Sequence, residues 1–110
     1  MPLQRTETYT TTGTKGSWNC DPSITPFNLN VAFALLSGTV SYKLQYTYDN
    51  FDSPTMADAD AVWFDSVEIP DATAVSAAQQ FTAPVTRVRV IIAAISGSLK
   101  MTMLQGMSIN

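Results

Sequence analysis

The sequence predicts an all-β protein: an antiparallel β-sandwich, jelly-roll-like, with an extended N-terminal arm. Three observations lead there. Large apolar residues recur at every second position in the best-patterned runs, the period that places them on one face of a strand. These runs are separated by clusters of Gly, Pro, Ser, Asn and Asp. No stretch joins a clear N-cap to apolar residues at helical spacing, so no crossover helix is at hand and the strands must pair antiparallel. At 110 residues the chain is one domain's worth.

Residues 1–16 read as an extended arm or edge strand, with 17–110 forming a single β-sandwich domain. The reason is compositional. Six threonines (Thr6, Thr8, Thr10, Thr11, Thr12 and Thr14) fall in nine positions with few large apolar residues among them. β-Branching favours extended backbone, and the lack of apolar bulk leaves little to bury. Pro22 and Pro26 then bracket a loop.

From Phe27 the pattern changes to alternation: Phe27, Leu29, Val31, Phe33 and Leu35 share one face. After Ser37-Gly38, Val40, Tyr42, Leu44, Tyr46 and Tyr48 alternate with Ser41, Lys43, Gln45 and Thr47. Two alternating runs around a Gly-containing break predict a β-hairpin. Residues 49–60 are acidic and turn-like. A short strand is expected at 61–69, ended by Pro70-Asp71. Residues 72–83 suit a weak strand or one helical turn, and Phe81 with Pro84 favours the strand. Thr86 to Ile95 is the strongest β segment. Ser96-Gly97 breaks it before Leu99, Met101 and Met103 alternate with Lys100 and Thr102. Leu36-Ser37-Gly38-Thr39-Val40 echoes Ile95-Ser96-Gly97-Ser98-Leu99 class by class, which predicts two equivalent hairpins facing each other across one core.

Composition narrows the chemistry. Hydrophobic residues are 45% and charged residues 14%, too apolar for a disordered chain. A net charge of −3 argues against binding nucleic acid by neutralising phosphates. There is no histidine, so the commonest general base and metal ligand is missing; a single cysteine allows no intrachain disulfide and no Cys-based zinc site. The longest apolar run, Val90 to Ile95, is too short to span a bilayer as a helix, and the N-terminal residues have no signal-peptide core. The expectations are a soluble protein with no cofactor, no nucleic acid and no membrane partner, and Cys20 suits a cytoplasm.

Each candidate site has a plainer reading beside it. Ser41 and Lys43 share a strand face, more simply as solvated surface than as a catalytic pair. Seven of the nine acids lie between Asp49 and Asp71, as a glycosidase pair or as an acidic loop that keeps the protein in solution. Asp58 with Asp60, and Asp49 with Asn50 and Asp52, have spacings that suit calcium, but without the Gly and closing Glu of an EF-hand frame. Tyr42, Tyr46 and Tyr48 on one face, with Trp18 and Trp63, suit a sugar-stacking platform or a half-buried core. Arg87 and Arg89 project to one face beside Ile91 and Ile95. Arginine among apolar neighbours is what protein interfaces enrich, and arginine stems also cover sheet edges. Met101, Met103 and Met107 fill core or add contact area.

Four stretches together resemble a known group. They are Ser41-Tyr42-Lys43-Leu44-Gln45-Tyr46-Thr47-Tyr48-Asp49, Ala61-Val62-Trp63-Phe64-Asp65, Phe81-Thr82-Ala83-Pro84-Val85-Thr86-Arg87-Val88-Arg89-Val90, and Gly97-Ser98-Leu99-Lys100-Met101-Thr102-Met103-Leu104-Gln105-Gly106. Over residues 36–106 the order and flavour of these strands resemble the head decoration (cement or staple) proteins of short-tailed double-stranded DNA bacteriophages. The resemblance implies a jelly-roll-like β domain, made in the host cytoplasm, that sits on the outer capsid surface of the virion. It implies binding to the major capsid protein as a homodimer or other homo-oligomer, clamping neighbouring capsomers, with no catalytic residues. The residues expected at the protein interface are Arg5, Thr8, Tyr9, Lys15, Trp18, Arg87, Arg89 and Ile91. Deleting 1–16 is expected to weaken partner binding more than the fold. The alternative from a different class is a carbohydrate-binding β-sandwich, a receptor-binding or tail-fibre component. A tail or neck subunit is a third reading.

Overall fold

A computed structural model describes residues 3–20, 28–48, 62–82 and 85–105. Their regular structure is entirely β, and every strand pairing is antiparallel. The strands are β1 (Leu3–Tyr9), β2 (Gly13–Thr14), β3 (Trp18–Asn19), β4 (Leu29–Thr47), β5 (Trp63–Asp65), β6 (Ala77–Phe81) and β7 (Arg87–Gln105). They form one hydrogen-bonded sheet in the order β1-β7-β4-β5, with β2 and β3 also on β7 and β6 also on β4.

Two 19-residue strands, β4 and β7, are the spine. They pair along their whole length, from Leu29 opposite Gln105 to Thr47 opposite Arg87. This corrects the two expected hairpins. Ser37-Gly38 and Ser96-Gly97 are not turns: each lies in the middle of a continuous strand, and Gly38 pairs with Gly97. The echo between the two pentapeptides is therefore a cross-strand pairing. Thr39 faces Ser96, Ser37 faces Ser98, and the two serine hydroxyls are 3.2 Å apart. Both glycines have positive φ, 74° and 117°. A Cβ on Gly38 would come within 1.5 Å of the Ser96 carbonyl oxygen, and one on Gly97 within 2.1 Å of that of Ser37. The two backbones approach so closely here that only glycine fits.

The spine bends. A straight strand of this length would span roughly 60 Å, whereas the longest dimension of the molecule is 42 Å. Phe33 and Tyr42, nine positions apart on one strand, bring their rings to 4.8 Å. Tyr46 and Phe81 meet at 5.4 Å, and Cys20 Sγ lies 3.9 Å from Met103 Sδ, each pair again bridging the two halves of the sheet.

Bulges keep the apolar side inward on both sides of the bend. On β4 the buried positions are Leu29, Val31 and Phe33, then Val40, Tyr42 and Leu44. On β7 they are Val88, Val90 and Ile92, then Leu99, Met101 and Met103. Each series switches parity once. The register shifts between Leu35 and Ser37 and between Ser41 and Tyr42, leaving Leu36 on β4 and Ala93 on β7 as the extra residues. One inserted residue per strand flips the alternation once, so both halves present their large side chains to the same core.

The flanking strands follow the spine. Leu3–Tyr9 of the expected arm runs as an edge strand on Gln105–Leu99 in unbroken register, and Gly13–Thr14 continues along Ile92 and Ile91. The strand expected at 61–69 is shorter, Trp63–Asp65, because Ser66 to Ile69 leaves the ladder to cap the core with Ile69. The Ser66 hydroxyl donates to Gln79 Oε1 and accepts from the Ile69 amide at 3.0 Å. In 72–83 the strand reading holds as β6, Ala77–Phe81.

Candidate functional site

The expected interface residues fall into two groups at different places. The first is built where β1 and β3 approach each other across the open end of the folded sheet. The Arg5 guanidinium lies 4.7 Å from the Trp18 ring centroid, and Lys15 Nζ lies 5.7 Å from the Tyr9 ring. Lys15 is anchored by donating to the Thr11 hydroxyl at 2.7 Å and to the Thr12 carbonyl at 3.1 Å. Burial, together with Glu7 nearby, pushes the Tyr9 hydroxyl pKa up, against a hydrogen bond with Trp18 that lowers it. Trp18 itself is 1% exposed and belongs to the core, so it is neither an open stacking ring nor a residue a partner can reach. Thr8 lies on the opposite face of β1 and is exposed.

The second group lies on the outer face of the half-sheet made by β7, β4 and β5. Register sets Arg89, Gln45 and Asp65 side by side in one cross-strand row, and Arg87, Thr47 and Trp63 in the next. Arg89 Nε donates to Gln45 Oε1 at 2.8 Å, and Gln45 Nε2 donates to Asp65 Oδ1 at 2.8 Å. Lys43 Nζ approaches the same carboxylate at 3.4 Å. The Arg89 guanidinium stacks over Trp63 at 4.0 Å from the ring centroid. The Gln45 hydrogen bond, helped by Lys43, holds the Asp65 carboxyl below the usual carboxylate range. Arg87 and Arg89 do project to one face with Ile91, but Ile95, expected beside them, packs against the core instead, because the extra residue Ala93 flips the alternation between them. Arg87 is only 4% exposed and so is covered within the single chain, whereas Arg89 and Ile91 are half-buried. Gln45 and Asp65 complete the Arg89 row, and Trp63 joins it from the next row by lying under the Arg89 guanidinium; none of the three is among the expected interface residues. Their faces are legible from alternation, yet their meeting with Arg89 depends on register.

The tyrosine platform separates along the strand. Tyr42 is core, with its hydroxyl donating to the Val75 carbonyl at 2.7 Å and burial pushing its pKa up to about 12. Tyr46 is half-buried. Tyr48 and Phe64 are 53% and 45% exposed, and their rings lie 5.7 Å apart with Tyr46 beside both. Burial pushes the Cys20 thiol pKa up to about 12, which leaves little thiolate at neutral pH. Ser41 and Lys43 lie on the same strand face, and Lys43 is engaged with Asp65. The calcium candidates Asp49, Asn50, Asp52, Asp58 and Asp60, and Met107, lie outside the described residues. Among the described residues no three His, Cys, Asp or Glu side chains gather as a metal site. No family model matches the chain, and no curated protein or solved structure matches it.

Proposed function

We propose that this chain is a bacteriophage virion protein that works by binding, not catalysis. It attaches to the outside of the capsid and stabilises it by clamping neighbouring major capsid subunits. The folded sheet is read as a β-sandwich of jelly-roll type, a rigid plate with two outward faces. The observation that carries the reading is the linked set Lys43–Asp65–Gln45–Arg89, joined by one ion pair and two hydrogen bonds, with Trp63 stacked under the arginine. An arginine and a tryptophan held in place on an outer sheet face are the residue types that dominate protein–protein contacts, and the ordering cost is met before binding. A ligand that binds the closed shell and not its opened form stabilises the shell by ~2.7 kcal/mol per site at a hundredfold excess over Kd, and many copies on one lattice add.

Purified protein added to expanded capsids is expected to raise their disruption temperature, and Arg89→Ala with Trp63→Ala is expected to abolish the rise while the protein stays folded. Capsids whose disruption temperature does not change at saturating protein reject the proposal. One observation favours the second reading, carbohydrate binding: the exposed Tyr48 and Phe64 rings at the rim of the sheet. A glycan-array signal lost in Tyr48→Ala would move the assignment there.

A further inference from the structure

We infer that the outer edge of β1 pairs with the same edge of a second copy of this chain about a two-fold axis at Thr6, joining two sheets into one. β1 ends the strand order, and β7 occupies one of its edges at all seven positions without a register shift. Among the described residues no strand occupies the other edge. Leu3–Tyr9 contains no proline, no glycine and no bulge, the usual devices that stop an edge from pairing. It does carry two exposed charges, Arg5 and Glu7. Charges normally protect an edge because a second copy brings like against like.

Here the order of the charges reverses that outcome. Two antiparallel strands related by a two-fold axis perpendicular to the sheet keep each residue on its own face, so the axis passes at a residue position. Centred on Thr6, Arg5 faces Glu7 of the second copy and Glu7 faces Arg5. Gln4 faces Thr8, Leu3 faces Tyr9, and Thr6 faces its own counterpart. All seven residues are matched and both charges are paired. Centring on Arg5 would set arginine against arginine, and centring on Glu7 glutamate against glutamate. Centres further along leave the charges without opposite partners. Arg5 and Glu7 share the face that carries Trp18, so the arginine can rest on the indole at 4.7 Å and still present N–H groups along the strand edge. Exposed ion pairs contribute little affinity; backbone hydrogen bonds hold the pair, and the charges fix its register.

The resemblance raised a homo-oligomer only as an expectation. The edge supplies surface, register and symmetry on its own evidence, and its test uses purified protein with no shell present, so its failure would leave the capsid reading standing. Sedimentation equilibrium over a concentration series should show wild-type protein passing to twice the monomer mass. Arg5→Glu alone and Glu7→Arg alone should each weaken self-association at least tenfold, because each sets like charges opposite one another. Mixing these two variants should restore a dimer, since every charge then meets its opposite. Independently, Thr6→Cys, which keeps both charges, should form an intermolecular disulfide on mild oxidation, whereas Thr8→Cys, displaced from the axis, should not. A wild-type chain that stays monomeric, single variants that associate like wild type, a mixture that stays monomeric, or a Thr6→Cys protein that does not cross-link would each overturn the inference.

Discussion

Asp65 shows how one side chain acquires its role from two strands. Its carboxylate accepts from Gln45 at 2.8 Å and lies 3.4 Å from Lys43, both on β4, and through Gln45 it is linked to Arg89 on β7. The hydrogen bond from Gln45 and the Lys43 charge together hold its pKa below the value of the unfolded chain. A depressed folded-state pKa gives stability that is present above the unfolded value and lost as pH falls through the folded one. The stability difference between wild type and Asp65→Asn is therefore expected at neutral pH and should shrink as pH drops below ~4. Because the carboxylate is largely exposed, the difference will be small and reduced by salt. Urea titrations at pH 7 and pH 3, at low and high salt, check both points; a difference that grows on acidification would refute the assigned cause.

At the level of elements, the Gly38–Gly97 pair decides whether β4 and β7 can bend as one ladder. Gly97→Ala adds a Cβ where the Ser37 carbonyl oxygen already lies, at a φ of 117°. The expected loss is at least ~2 kcal/mol, from left-handed strain plus the clash, read as a lower urea midpoint. A neutral result would mean that the two backbones are not so closely apposed. β1 gives a second prediction. On the core side its partner positions on β7 are Leu99, Met101 and Met103, all fully buried, and Tyr9 packs against the core. Deleting residues 1–16 uncovers these side chains, so the melting midpoint should fall by ~10 °C or more, on the scale of ~2 kcal/mol for a chain of this size. The deletion thus affects the fold as well as any partner contact, and scanning calorimetry of the truncated protein measures the fold term alone.

The molecule as a whole is held by pairings between distant parts of the chain. Leu29 pairs with Gln105 and Thr47 with Arg87, and β1 closes on the end of β7. Loop closure must precede every one of these contacts, so refolding is expected in milliseconds to seconds rather than microseconds. Stopped-flow fluorescence reports it through Trp18 and Trp63, which sit on β3 and β5; loss of the full amplitude within the mixing dead time would contradict this topology.

Much of this was legible in the residues. Period-two alternation identifies both halves of the two long strands and their buried faces, because side-chain direction in a strand is a local property. It also sets Arg87, Arg89 and Ile91 on one face. Ser37-Gly38 and Ser96-Gly97 were the opaque points. A Ser-Gly break between alternating runs fits a turn or a bend within a strand equally well, and only the facing backbone distinguishes them. Trp18 was opaque for a related reason: its neighbours Gly16, Ser17 and Asn19 carry no apolar pattern, and its burial comes from elements far along the chain. An all-β chain, the strand faces on either side of each bulge and the charge order of β1 are readable in the residues, since these follow from local spacing. Register, the fold at the glycine pair and the meeting of Arg89 with Gln45, Asp65 and Trp63 were decided only by tertiary structure, because each depends on which distant backbone lies alongside.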